Sequence, residues 1–421
     1  MQPTSTTSTP ARFAWGHWIE PWYLPYALLG AVVAGMIPIL LPLLVNQAGS
    51  AAQVGLVMGM VSLGGLAAPV WGHLADRYRL HRWLLTGGLF LTTVGLAAFL
   101  FAGQPILWLI LALIQSIGAA GAATVANLFV VEVHPKEEWD ERIGWLQTFY
   151  GGGQVVGLMV AGIFSQEYLR LGLWIAAGLT VLAGLLAWLT THTPPPPAEG
   201  KPVLLHPPHS GEWAISSPSR LFHHISLKSL GRLGVSLRST FGVFLTGWVL
   251  TFGGAAVVFS FYPVMMQKVF GLAPSISSAA FALAAGLGLA LYTPAGHWSE
   301  RWGAPRVLRS GLALRLLAFA GLFGLQFLHS SVAGWLAAVA FILVVLAWSL
   351  LSVSGTLLVA QLSPAGEGEG LGVFNAASAL AGMIGAALGG WVAGVWGYPA
   401  ALLLSVGSTI LGLALFSIKS I

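Results

Sequence analysis

Long apolar runs constrain this chain more than any other feature. A backbone that faces lipid must satisfy its hydrogen bonds internally, so apolar runs of about 20 residues are expected to be membrane-crossing helices. We therefore predict an all-α integral membrane protein with twelve transmembrane helices. The expected spans lie near residues 23–46, 52–74, 83–102, 106–131, 143–165, 170–191, 240–267, 275–297, 307–328, 332–360, 371–395 and 398–418.

The composition agrees with a protein that is covered by lipid. Hydrophobic residues make up 57% of the 421 positions and charged residues only 7%, whereas soluble domains carry about 25% charged residues. Cysteine is absent, which excludes disulfides, thiolate metal sites and a cysteine nucleophile. The sequence also lacks a Walker-type loop, a His-Glu-x-x-His motif and a buried carboxylate pair, so we expect neither an ATP-driven pump nor an enzyme, and no metal or cofactor.

The basic residues predict the orientation in the membrane. Sixteen of the 18 Lys and Arg residues lie on the side of the N-terminus, and only Arg170 and Lys268 lie on the other. Five of the sixteen belong to a long central loop and count for less, but eleven against two still places both termini in the cytoplasm. The pI near 9.6 follows from this topology, and no nucleic-acid partner is expected.

A charged motif occurs twice, at a separation of 224 residues. Gly72-His73-Leu74-Ala75-Asp76-Arg77, with Arg82 further on, reappears as Gly296-His297-Trp298-Ser299-Glu300-Arg301, with Arg306 further on. Each copy lies where one apolar run ends and the next begins. A second correspondence, at a separation of 228 residues, pairs Gly144, Gln147, Gly157 and Gly162 with Gly372, Asn375, Gly385 and Gly390. Such a duplication is typical of transporters built from two related helix bundles.

The repeat divides the chain into five segments. We predict a cytoplasmic N-terminal tail at 1–22, a six-helix bundle at 23–191, a cytoplasmic linker at 192–239, a second six-helix bundle at 240–418 and a C-terminus at 419–421. Within the linker, Arg220–Arg238 mixes apolar with basic residues. It is either an amphipathic helix that lies on anionic lipid or a polar flank before the seventh span.

The repeated motif resembles the major facilitator superfamily. The loop between spans two and three of that family reads Gly-x-Leu-Ala-Asp-Arg-x-Gly-Arg-Arg, and this chain has Gly72-x-Leu74-Ala75-Asp76-Arg77, with Arg79 in place of the second glycine. The second copy has Glu300 for the aspartate and keeps Gly303. With twelve spans the resemblance covers essentially the whole chain, and it is similar to the bacterial branch that exports drugs and other small molecules. It implies two pseudo-symmetric bundles that work by alternating access.

The resemblance also implies a conformational latch. Asp76 would meet the start of span eleven near Gly370–Gly372, and Glu300 would meet the start of span five near Arg142–Gly144. Each contact between a carboxylate and a helix N-terminus contributes about 0.3–2 kcal/mol, which biases a switch without freezing it. The alternative is an ordinary solvated loop that only fixes topology. The proposed latch residues are Gly72, Asp76, Arg77, Arg82, Gly296, Glu300, Arg301 and Arg306.

The cargo path follows from the same resemblance, which places spans one, four, seven and ten around a central cavity, with contributions from five and eleven. Candidate lining residues are polar (Gln115, Asn127, Gln147, Gln154 and Asn375) or aromatic (Trp248, Tyr262 and Trp348). Each amide could instead join two helices. This uncharged lining favours neutral or lipophilic cargo, including cations held by aromatic faces. Arg315, the one charge inside a span, is expected to extend its side chain to the nearby membrane surface.

The sequence leaves energy coupling open. All thirteen acidic residues fall at span ends or in loops. Ile114 stands where the drug–proton exchangers of the family carry an arginine, and Leu158 stands where they carry a proline. Protons are therefore a candidate coupling ion and not an established one.

We expect a monomeric secondary transporter in the cytoplasmic membrane that exports hydrophobic or neutral small molecules, with the cargo and membrane lipid as its partners. Two alternatives stay within transport: a facilitator or importer of a neutral solute such as a sugar or nucleoside, and a lipid flippase. A third is a receptor or scaffold that has kept the fold and does not transport.

Overall fold

The computed structural model describes residues 19–191, 239–328, 330–364 and 367–418, and these residues form helices and turns without a strand. The N-terminal tail up to residue 18 and the linker at 192–238, with the predicted surface helix, lie outside the described residues. The helices are α1 (Tyr23–Gly30), α2 (Ile37–Ala48), α3 (Ala51–Leu63), α4 (Ala68–Tyr78), α5 (His81–Phe99), α6 (Pro105–Val133), α7 (Trp139–Phe164), α8 (Leu169–Thr190), α9 (Thr240–Phe270), α10 (Pro274–Trp302), α11 (Ala304–Leu325), α12 (Ser331–Leu362) and α13 (Glu367–Ile418).

The helices account for the predicted spans in a slightly different way. A π-helical turn, Ala31–Met36, joins α1 to α2, and a 3-10 turn, Gly64–Ala67, joins α3 to α4. By length and composition, ten continuous helices could cross a membrane. Helix α13 is interrupted at Gly397, where φ is 82°, and therefore contains two of the predicted spans. Helix α7 is also long enough, with 26 residues. The all-α membrane fold is confirmed, and counting α7 and both parts of α13 recovers twelve spans.

The two motif copies are helical, which corrects the prediction of a loop. Helix α4 continues through Asp76 and Arg77 to Tyr78, and the chain turns only at Arg79 (φ 53°), whose N–H donates to the carbonyl of Ala75 at 2.8 Å. The second copy lies within α10, which ends before Gly303 at φ 89°. Positions 79 and 303 are 224 residues apart, so both copies turn at the same point. A left-handed conformation costs a non-glycine residue about 1–2 kcal/mol, and Arg79 adopts it where the second copy has glycine.

Glycine contacts show the same duplication inside each half. Gly157 of α7 packs against the carbonyl of Ala31 in the first span, so that a Cβ there would collide with the backbone. Gly385 of α13 packs in the same way against the carbonyl of Gly253 in α9, the first helix of the second half. These two glycines are the pair that the 228-residue correspondence matched. The missing side chains allow the helix backbones to approach closely.

The apolar core differs between the two ends of the molecule. We call the end where α4 and α10 terminate, at Tyr78 and Trp302, the motif end, and the other the opposite end. Toward the opposite end, side chains from both halves share one buried cluster, which includes Leu41 and Phe261. Toward the motif end, the first and second halves have separate clusters. The halves are therefore joined at one end only.

Candidate functional site

Contacts between α3 and α13 close one side of the opposite end. Gly55 and Gly390 bring the two backbones together, and a Cβ on Gly55 would lie 2.6 Å from the Cα of Gly390. Close by in the fold, Lys268 at the end of α9 donates to the side-chain oxygen of Asn46 at 2.9 Å. Small residues and one polar bridge therefore join the halves here.

Helices α7 and α10 close the other side. The Ser278 hydroxyl donates to the carbonyl of Leu158 at 2.6 Å, and the Gln166 amide donates to the Ser275 hydroxyl at 3.2 Å. A hydroxyl that reaches a helical carbonyl of the facing bundle requires close helix packing. The opposite end is thus sealed by two helix pairs related by the internal repeat.

The same faces of α7 and α10 separate toward the motif end. Gly151 still meets the side chain of Leu289. Gln147 and Gly144 continue the same face of α7 by one and two turns, since residues four and seven apart lie on one side of a helix, and both are exposed. A Cβ on Gly144 or on Gly296 of α10 would meet no described atom within 4 Å. The two helices face each other here without touching.

Helices α3 and α13 diverge in the same direction. A Cβ on Gly65 would lie 3.4 Å from the Ala379 side chain. One turn closer to the motif end, Asn375 is exposed on the same face of α13. The space between the two halves therefore opens toward the motif end.

Hydrogen-bonding side chains form the wall that the first half presents to this space. The Asn127 amide donates to the Tyr26 hydroxyl at 3.3 Å and to the carbonyl of Ala123 at 2.8 Å. The Gln147 amide donates to the Asn127 side-chain oxygen at 3.1 Å and approaches the Tyr26 hydroxyl at 3.5 Å. Gln154 lies two turns along α7 and is half-buried. Spans one, four and five thus meet in one polar cluster, of which the sequence predicted the amides and missed Tyr26.

Aromatic rings form the wall of the second half. Trp248 of α9 lies with its ring centroid 6.1 Å from that of Trp348 in α12 and 4.6 Å from that of Phe374 in α13. Its indole N–H donates to the Ser378 hydroxyl at 2.8 Å, which fixes the ring plane. Phe252 completes the cluster at 5.6 Å from Trp348. The two predicted tryptophans therefore lie together, one turn from Asn375 on the neighbouring helix.

Two predicted lining residues lie elsewhere. Tyr262 is buried near the opposite end, where its ring stacks 3.5 Å from Phe341 and its hydroxyl donates to the carbonyl of Ser277 at 2.8 Å. Gln115 is buried between α5 and α6, against Gly95, and neither amide atom has a hydrogen-bond partner among the described residues. Both face the interior of their own bundle because periodicity in an apolar helix does not indicate which neighbour a side chain meets.

The first copy of the motif anchors α5 to α8. The Arg82 guanidinium donates to the carbonyl of Trp188 at 2.5 Å and lies 3.9 Å above the indole ring of that residue. Arg77 is exposed and lies 5.5 Å from the Tyr78 ring. Gly72 is buried, and the Asp76 side chain lies outside what the structure describes. Arg82 therefore has a packing role within its own bundle.

The second copy is exposed. Arg306 donates to the carbonyl of Trp302 at 3.3 Å. Glu300 and Arg301 point outward, and Glu300 has no ion pair among the described residues. Glu300 lies on the same face of α10 as Gly296, opposite the start of α7. A latch contact with α7 therefore stays a prediction for a state in which the motif end is closed.

An ion cluster that the sequence did not predict holds the motif end of the first half together. Arg142 donates through Nε to Glu138 at 2.7 Å and through Nη1 to Glu20. Glu20 also contacts His134 Nε2 at 3.0 Å and accepts the indole N–H of Trp22 at 2.6 Å. Only the Glu138–Arg142 spacing of four residues was visible in the sequence. Glu20 joins the start of span one to the ends of spans four and five.

Burial lowers the pKa of His134 below its usual value of 6.5, although the Glu20 carboxylate acts in the opposite direction. His134 follows the last residue of α6 and lies outside the membrane-crossing segment. The imidazole is therefore held in its neutral form more strongly than in the unfolded chain.

These features together define a class of protein. Its helices are long enough to cross a membrane, its halves share an internal repeat, and a space between them opens at one end. That combination belongs to multi-pass membrane transporters built from two related bundles.

Comparison with known sequences gives the family. The profile of the Major Facilitator Superfamily matches residues 24–367 and, in a second match, 243–419. The chain belongs to the major facilitator superfamily, whose members are transporters and not enzymes.

A curated relative is similar over part of the chain. The multi-drug resistance efflux pump PmrA of Streptococcus pneumoniae is 27% identical over 167 residues, which is 38% of this chain and 41% of that protein. The chain thus aligns with about two fifths of the length of the pump.

Solved structures share the fold over nearly the whole chain. The nucleoside transporter NupG has a TM-score of 0.73 at 14% identity and covers 94% of this chain and 96% of its own. A bacterial homolog of the human lysosomal transporter Spinster, in an inward-facing and unoccupied conformation, has a TM-score of 0.69 at 16% identity, with 97% of both chains covered. The D-xylose–proton symporter has a TM-score of 0.67 at 15% identity and covers 94% and 95%. At these identities the likeness concerns the fold alone.

Proposed function

We propose that the protein is a secondary transporter that works by alternating access and exports hydrophobic or neutral small molecules across the cytoplasmic membrane. The observation that carries this proposal is the difference between the ends: α3–α13 and α7–α10 touch at the opposite end and separate at the motif end. A carrier requires two states of similar free energy, and a fixed scaffold has no need of a space open at one end.

The basic residues support the direction of export. They place the motif end in the cytoplasm, so the space between the bundles would receive cargo from inside the cell. The similarity of one segment to a multidrug efflux pump is in keeping with export. In the other state, Asp76 and Glu300 would close the motif end against the starts of α13 and α7.

The walls support the proposed class of cargo. Trp248, Trp348, Phe252 and Phe374 give the second half a broad apolar surface, and no acidic side chain lies among the wall residues described above. An apolar cavity with a few orienting polar groups is typical of sites for small lipophilic molecules.

The polar cluster on the first half favours a second candidate, a facilitator or importer of a neutral solute. Tyr26, Asn127 and Gln147 could exchange their mutual hydrogen bonds for bonds to the hydroxyls of a nucleoside or sugar. The fold is shared with transporters named for nucleosides and for D-xylose. The aromatic wall favours export of apolar cargo, and the amide wall favours this alternative.

Transport by purified protein in proteoliposomes tests both. The assay measures efflux of lipophilic fluorophores with and without a pH gradient, and uptake of radiolabelled uridine and xylose. We expect dye movement that Trp348→Ala lowers and that Trp335→Ala leaves unchanged, because Trp335 is exposed on the outer surface of α12 near the opposite end. Dye movement indifferent to the gradient would indicate a facilitator. Solute uptake without dye movement would favour the second candidate, and the absence of both would contradict a transporter of these cargo classes.

A further inference from the structure

Arg315 is the largest fully buried side chain of the protein among the described residues. It lies in the middle of α11 with 1% of its surface exposed, so it does not extend to the membrane surface as the sequence predicted. Gly311, one turn before it, packs on Leu351 of α12. The guanidinium therefore points into the second bundle.

This cation lacks a balancing charge. Neither Nε nor Nη2 has a hydrogen-bond partner among the described residues, and none of the ion pairs found there involves Arg315. A guanidinium stays charged in proteins, and an unpaired charge inside a bundle is strongly unfavourable unless something compensates for it. The structure thus holds an unfilled requirement for a negatively charged or strongly accepting group.

The same side chain belongs to the aromatic wall. Its guanidinium carbon lies 5.8 Å from the Trp348 ring. The Tyr292 side chain is hydrogen-bonded to the side chains of Ser352 and Trp348. Tyr292, Trp348 and Ser352 are all partly exposed. A ligand that reaches Trp348 from the space between the bundles therefore comes close to Arg315.

We propose that Arg315 recognises a carboxylate carried by the cargo, so that the protein accepts lipophilic monoanions such as aromatic carboxylic acids. This inference rests on the proposed transport function and names a substrate class for the same wall. One guanidinium offers two parallel N–H donors to one carboxylate, and the rings of Trp248 and Trp348 would hold the apolar part. A single cation within an apolar wall matches one negative charge and not the several charges of a phosphate ester.

Paired probes of one shape test the proposal. 2-Naphthoate and 2-naphthamide differ in charge and share the ring, and their binding to the purified protein is measured by isothermal titration and by the shift in unfolding temperature. We expect the wild type to bind the naphthoate about tenfold to a hundredfold more tightly than the amide, since a hydrogen-bonded charge pair is worth that much. Arg315→Gln should abolish this preference and Arg309→Gln, on the same helix, should keep it.

Several outcomes would overturn the proposal. One is an unchanged preference in Arg315→Gln, and another is equal stabilisation of the wild type by chloride alone, which would make Arg315 a chloride site. If Arg315→Gln does not fold, Arg315→Lys decides, because it keeps the charge and loses the fork and should lower the preference only in part. Efflux of a neutral dye by the wild type reports on the proposed transport function separately, so loss of one result does not conceal the other.

Discussion

The two ends of the molecule use the same helices and differ in what lies between them. At the opposite end, Gly55 meets Gly390 and Ser278 meets the carbonyl of Leu158, so backbone touches backbone or side chain. At the motif end, the continuing faces carry Gln147 and Gly296 with nothing of the other half against them.

The comparison teaches that closure depends on the size of the residues and opening on their polarity. Small residues allow a contact in which many weak attractions add up. Polar and charged residues can be solvated when the bundles part, and they offer only contacts of about 0.3–2 kcal/mol when the bundles close. One end can therefore open while the other holds.

A covalent lock at the opposite end should have the largest effect. The chain has no cysteine, and the side chains of Asn46 and Lys268 touch at 2.9 Å, so the double substitution Asn46→Cys, Lys268→Cys supplies the only thiols. Oxidation should trap the motif-end-open state and abolish transport in proteoliposomes, and a reductant should restore it. Gly144→Cys with Gly296→Cys is the matched pair at the motif end, and should cross-link far more slowly in detergent. Faster cross-linking at the motif end would contradict the assignment of the open end.

Enlarging the closed contact should have the next largest effect. Gly55→Leu places a side chain against the backbone of Gly390, and overpacking of this kind costs about 1–3 kcal/mol. The motif-end-open state should lose population by the corresponding factor, as measured by spin-label distances across both ends. Gly178→Leu is the control, because a Cβ there meets nothing within 4 Å. Equal effects of the two substitutions would show that the Gly55 contact does not close the molecule.

Removing the charge of the second motif should have a smaller effect. Glu300→Gln should disfavour the motif-end-closed state by about 0.3–2 kcal/mol, because it weakens attraction to the start of α7. The same spin-label distances should shift toward the open state, and thermal stability should hardly change since Glu300 is exposed. Glu167→Gln, an exposed carboxylate at the opposite end, serves as the control. A shift of equal size in both variants would reduce the motif to a solvated loop.

The smallest effect should be a pH dependence of stability. Because burial lowers the pKa of His134 from 6.5, the unfolded chain binds more protons between the lowered value and 6.5, and stability should rise with pH through this window. Below it, protonation of the folded protein removes any further change. Thermal unfolding of the wild type should show the slope, and His134→Gln should flatten it. A slope that persists in the variant would assign the titration to another group of the Glu20 cluster.

The helices and the duplication were predictable from particular residues. The apolar runs require helices in lipid, and Gly157 and Gly385 were matched before any contact was known. Asn127, Gln147, Trp248 and Trp348 were also found as wall candidates. What the sequence did not indicate was the position of Gln115 and Tyr262, or the role of Glu20.

The sequence by itself determined the membrane-crossing helices, their pairing into two related halves and the family. These follow from hydropathy and from identity at fixed separations, which need no neighbours. Only the tertiary structure decided which end is closed, that Arg315 is buried beside Trp348, and that Glu20 reaches Arg142. The physical reason is that a helix apolar on every side has no stripe to fix its rotation. The neighbour that each side chain meets is set by packing with the other helices.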